Sequence, residues 1–144
     1  MLRKIVIFVL FLTFSAVLYA QTAVELEAVL ESSAVTYAQA ASFVLNSADL
    51  EFQGSAFEYA VEKGWIKKAE QDDPVKLGAL SFLLMQVFEI KGGMMYTLFP
   101  GPRYAYRSMI NSGFIQGVSD PAMLVNGQRF LLILGKVLSA EGDE

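Results

Sequence analysis

Neither histidine nor cysteine occurs in the 144 residues. Their absence excludes Ser-His-Asp and Cys-His nucleophile systems and imidazole or thiolate metal sites. It also excludes disulfides and a lipidated N-terminal cysteine. Basic residues are few, 11 Lys plus Arg against 15 Asp plus Glu. That balance argues against nucleic acid as a ligand, because phosphate binding draws on clustered cations. No Gly-rich phosphate loop follows a strand pattern, so nucleotide binding has no support. Only carboxylates remain for catalysis, and Asp72-Asp73 is the one tight pair. Adjacent acids at a helix start serve as caps far more often than as a general acid and base. The expectation is a non-catalytic protein with no metal and no cofactor.

What the chain has in plenty is apolar surface. It is 54% hydrophobic, too apolar for a disordered protein. Part of the excess lies at the start, where Arg3 and Lys4 precede an uncharged run ending at Val17-Leu18-Tyr19-Ala20. A basic start, a short apolar stretch and a small residue at its end predict a signal peptide over residues 1–20. The alternative is an uncleaved anchor, which would hold the protein to the membrane through this segment. However, Ile5 to Ala20 is only 16 residues, short of the roughly 17–25 that span a bilayer. Export to the periplasm or cell envelope follows. Cleavage would remove Arg3 and Lys4 and take the formal charge from −4 to −6.

The remainder reads as helices. Residues 21–34 hold an acidic helix or tether around Val24–Ser33. Thr36 with Gln39 makes a capping box for a helix over Tyr37–Leu45, and Ser55 with Glu58 makes another. Gly64 suits a helix C-terminus, with Trp65 and Ile66 folding back. Pro74 is expected to open the longest helix, through Ile90, with Asp72 and Asp73 at its positive end. Lys91–Pro102 is expected to be a loop, since Gly92-Gly93 and Pro100-Gly101-Pro102 break the pattern. A short helix follows over Arg103–Asn111, then Gly113 and Gly117 as turn residues. Asn126 caps a last helix over Gly127–Ser139, and residues 140–144 form an acidic tail.

Two stretches share an order of features. Gly64-Trp65-Ile66 matches Gly113-Phe114-Ile115, and Asp73-Pro74 matches Asp120-Pro121. Ser81-Phe82-Leu83-Leu84 matches Arg129-Phe130-Leu131-Leu132, with a third echo in Ser42-Phe43-Val44-Leu45. Helix, Gly turn, loop and helix in fixed order predict an all-α domain of helix-loop-helix repeats over residues 35–139, each burying its apolar face on its neighbour. The pattern resembles the S-layer homology (SLH) module. Val35-Thr36-Tyr37-Ala38-Gln39 looks like the module's helix start. Ala105–Gly117, ending Gly113-Phe114-Ile115-Gln116-Gly117, looks like its short helix and turn. Val125-Asn126-Gly127-Gln128 looks like a degenerate last start. The resemblance implies binding to a cell-wall polymer through the Arg and acid of the start motif, with nearby Gly and aromatic residues. This chain departs there: Tyr37 stands where the Arg would be, Gln39 replaces the acid, and Leu77 and Gly127 restore neither.

Two clusters could recognise such a ligand. Lys63, Lys67 and Lys68 lie beside Trp65, and Arg103 and Arg107 lie beside Tyr104 and Tyr106. An aromatic face with cations suits a sugar or an anionic polymer. The plain alternative for both is a solvated helix end or helix-surface packing. A third candidate is the apolar Met94, Met95, Tyr96, Leu98 and Phe99, either folded over the core or exposed to another envelope protein or a membrane surface. The competing function is therefore a docking subunit of an envelope complex.

Overall fold

The computed structural model describes residues 22–143, and the expected signal peptide lies outside them. Among the described residues the fold is all-α. A helix over 22–30 (α1) is followed by α2 (Tyr37–Ser47), α3 (Ala56–Glu62), α4 (Leu77–Val87), α5 (Met94–Leu98), α6 (Pro102–Asn111) and α7 (Gly127–Gly142). α4 is the hub, packing on both α2 and α6, while α3 lies on α2 and α5 on α6. Nine of its eleven residues are buried, Leu77, Leu80, Leu83 and Leu84 among them. Each such leucine contributes about 1.5–3 kcal/mol of transfer free energy. Ser81, also buried, gives its hydroxyl proton to the Leu77 carbonyl at 2.7 Å, so it leaves no polar group unpaired.

Three extended segments meet ahead of α2, α4 and α7. Val75 N–H donates to the Val35 carbonyl at 2.8 Å, and Val35 N–H donates to the Val125 carbonyl at 2.8 Å. Single antiparallel bridges join Thr36 to Pro74 and Lys76 to Leu124. Two residues beyond each valine a helix begins, and its first N–H reaches the next segment: Tyr37 to Asp73 (3.0 Å), Leu77 to Met123 (2.8 Å), Gly127 to Ser32 (2.9 Å). The first orphan donor of each of the three helices is thus satisfied by a neighbouring lead-in segment. The three valines are 0%, 1% and 0% exposed.

The two Gly turns close in one way. Gly64 N–H bonds to Val61, and Trp65 and Ile66 both bond to Ala60; Gly113 bonds to Ile110, and Phe114 and Ile115 both bond to Met109. Both glycines hold φ near +80° (77° and 80°), where a Cβ is strained. Ile66 and Ile115 are driven into the core.

Several expectations shift. Pro74 does not open a helix, because residues 74–76 are extended by their pairing with Val35 and Leu124, so α4 starts at Leu77. With Val75 and Val125 as equivalent points, Asp73-Pro74 and Asp120-Pro121 stand out of register, and so do the matched Phe82 and Phe130. Asp73 caps a turn, its Oδ2 accepting from Glu70 N–H at 3.0 Å. The supposed loop over Met94–Phe99 is mostly helix α5. It does not fold over the core either: Tyr96 is buried, but Met94, Met95, Leu98 and Phe99 are exposed. α7 runs on to Gly142, into the stretch expected to be an acidic tail.

Candidate ligand groove

A surface groove of about 600 Å³ opens between the lead-in to α4, the turn after α3 and the start of α6. Its floor is tight. Gly78 N–H bonds to the Pro121 carbonyl at 2.9 Å, and a side chain there would press on Pro121 at 3.2 Å. Tyr37 forms one wall, while Lys67, Lys68, Lys76 and Arg103 surround the opening with Asp73 as the single acid. All four cations are exposed. Lys67 also sets its ammonium over the Phe82 ring, 5.2 Å from the centroid, which steadies a long side chain that would otherwise range freely.

Two of these lysines stand where local backbone chemistry prefers another residue. Lys76 occupies the cap position of α4 and makes no side-chain cap bond. At the corresponding positions Thr36 accepts from Gln39 N–H at 3.2 Å, and Asn126 accepts from Arg129 N–H at 2.8 Å. Lys68 holds φ of +52°, a left-handed backbone uncommon for lysine. Four residues after Gly113, the sister turn has Gly117 in that role, with φ of +81°. Departures of this kind collect at functional sites.

Burial raises the Tyr37 phenol pKa above its usual value, the Asp73 carboxylate raises it further, and a hydrogen bond with the Lys76 backbone opposes both. The phenol therefore stays neutral, and Tyr37 lines the groove together with the cations, an arrangement that suits an anionic or sugar-containing chain. No group of three or more carboxylates among the described residues could hold a metal ion.

The residues singled out from sequence divide between places. Lys67 and Arg103 come together in the groove with Lys68. Lys63 and Trp65 are not in its lining. Trp65 is half-buried and meets Tyr59 edge-on at 5.9 Å, while Lys63 lies over the same Tyr59 ring at 5.4 Å. Tyr104 and Arg107 line a separate cleft with Met94 and Met95. Lys76 and Tyr37 are the groove residues that sequence reasoning passed over as ligand contacts. No local signal marked Lys76, because the start of α4 at Leu77 depends on pairing with residues far away in the chain.

No family model, curated protein or solved structure matches the chain.

Proposed function

We propose that this is an exported, non-catalytic cell-envelope protein that binds an anionic wall polymer in the groove at Tyr37. The observation that carries the reading is the gathering of Lys67, Lys68, Lys76 and Arg103 around one acid in a chain of net charge −4. A polymer with repeated charges meets several cations at once, so individually weak contacts add through effective concentration. The resemblance to SLH modules points to the same ligand class. It is supported by the meeting of Val35, Val75 and Val125 and by the shared Gly64 and Gly113 turn pattern, which suit a repeat architecture. In this reading the family's charged start motif is lost at Tyr37 and Gln39, and its cations are supplied instead by Lys76 and by the turn after α3.

Co-sedimentation with purified wall material that retains its anionic polymer tests this. Wild-type protein is expected in the pellet, and Lys67→Gln/Lys76→Gln in the supernatant, with unchanged circular dichroism. Material stripped of its anionic polymer is expected to retain neither. Equal retention of both proteins, or retention on stripped material, would refute the reading.

A further inference from the structure

α5 carries its apolar side outward. Met94, Met95 and Leu98 share one side of the helix, and Phe99 follows at its end. They are 78%, 44%, 62% and 62% exposed. Tyr96 on the opposite side holds the helix down. Its ring meets Phe82 edge-on at 6.5 Å, and its hydroxyl accepts from Gln86 Nε2 at 2.6 Å. Gly92 makes room, since a Cβ there would strike Tyr96 Cγ at 2.7 Å. The α5–α6 pairing is pinned again where Gly93 N–H donates to Ser108 Oγ at 3.2 Å. The exposed stripe is thus presented by a fixed anchor. Burying it elsewhere in the domain would break these contacts.

Charge near the stripe is mostly cationic, with Glu89 the acid that shares a cleft with Tyr96 and Thr97. Between Glu89 and Asp120 the sequence holds no acidic residue but has Lys91, Arg103 and Arg107. Arg107 shares a cleft of about 300 Å³ with Met94 and Met95. An apolar stripe ending in an aromatic ring, with cations at its edge, complements the boundary of an anionic bilayer. There the acyl region takes the apolar residues and lipid phosphates take the arginine. No helix among the described residues is long and apolar enough to cross a membrane, so the contact would be with the surface.

We propose that α5 and Phe99 dock the domain on the surface of an anionic lipid bilayer, with Met94, Leu98 and Phe99 entering the acyl boundary and Arg107 facing the lipid phosphates. A contact this small is reversible and depends on both parts. Loss of Phe99 weakens it about tenfold, whereas an apolar dye in place of the Leu98 side chain keeps the apolar contact, and loss of Arg107 weakens it about fivefold on anionic membranes alone.

The absence of cysteine permits a local test in the full chain, unaffected by the N-terminal apolar run. Leu98→Cys is labelled with an environment-sensitive dye and mixed with phosphatidylglycerol vesicles containing brominated acyl chains. Val118→Cys, 91% exposed on the loop between α6 and α7, is the comparison. The dye at 98 is expected to shift to the blue and to be quenched by bromine, while the dye at 118 does neither. Adding Arg107→Gln to the position-98 variant is expected to raise the lipid concentration needed about fivefold, with no effect on phosphatidylcholine vesicles. No shift at 98, or equal quenching at both positions, would overturn the proposal. So would a shift at 98 produced only by a protein partner without lipid.

Discussion

At the scale of single residues, glycine and lysine carry the sharpest commitments. A Cβ on Gly127 would run into the carbonyl of Val29, the one buried residue of α1. Gly127→Ala is therefore expected to cost about 3 kcal/mol in urea unfolding. Gly135, exposed within α7 with open space around it, is the control: Gly135→Ala should stabilise by about 1 kcal/mol. Lys68→Gly relieves a left-handed backbone, so it should leave stability unchanged or raise it by up to about 1 kcal/mol while weakening polymer binding. Tyrosine sets the alkaline limit. Burial raises the pKa of both Tyr37 and Tyr96, with Asp73 adding to the first and Gln86 opposing the second. A raised folded-state pKa means that the unfolded chain loses its phenolic protons first. Stability is then full below about pH 10 and falls as pH rises through the folded-state values. Tyr96→Phe should flatten that fall, read by denaturant midpoints across the alkaline range. It should also cost about 1 kcal/mol at neutral pH, from the lost Gln86 bond.

At the scale of elements, the start of α4 separates stability from binding. Thr36 and Asn126 cap α2 and α7, but Lys76 leaves α4 uncapped. Lys76→Asn should gain about 1 kcal/mol in thermal or urea unfolding and lose affinity for the anionic polymer. A loss of both would show that Lys76 is structural. The helix starts at Thr36 and Asn126 and the turns at Gly64 and Gly113 were legible in the sequence, because each rests on bonds within a few residues. Pro74 misled because its extended backbone depends on Val35 and Leu124, far away in the chain. α5 was hidden for a related reason: its five residues lie between Gly-Gly and Pro-Gly-Pro, and its anchor, Tyr96 on Gln86 and Phe82, spans ten residues or more.

At the scale of the whole molecule, the all-α class was readable from apolar spacing, but the meeting of Val35, Val75 and Val125 was not. Matched motifs set Asp73-Pro74 on Asp120-Pro121, whereas the hydrogen bonds align Val75 with Val125. The groove exists only because the lead-in to α4, the turn after α3 and the start of α6 converge. In the proposed function this convergence makes an anion site on an acidic protein. The most direct test is calorimetric titration of soluble anionic wall polymer into wild-type protein and Lys67→Glu/Lys76→Glu at low and high salt. Wild-type protein is expected to show saturable binding that weakens steeply with salt and disappears in the charge-reversed protein. Salt-independent binding, or binding that survives the reversal, would contradict it.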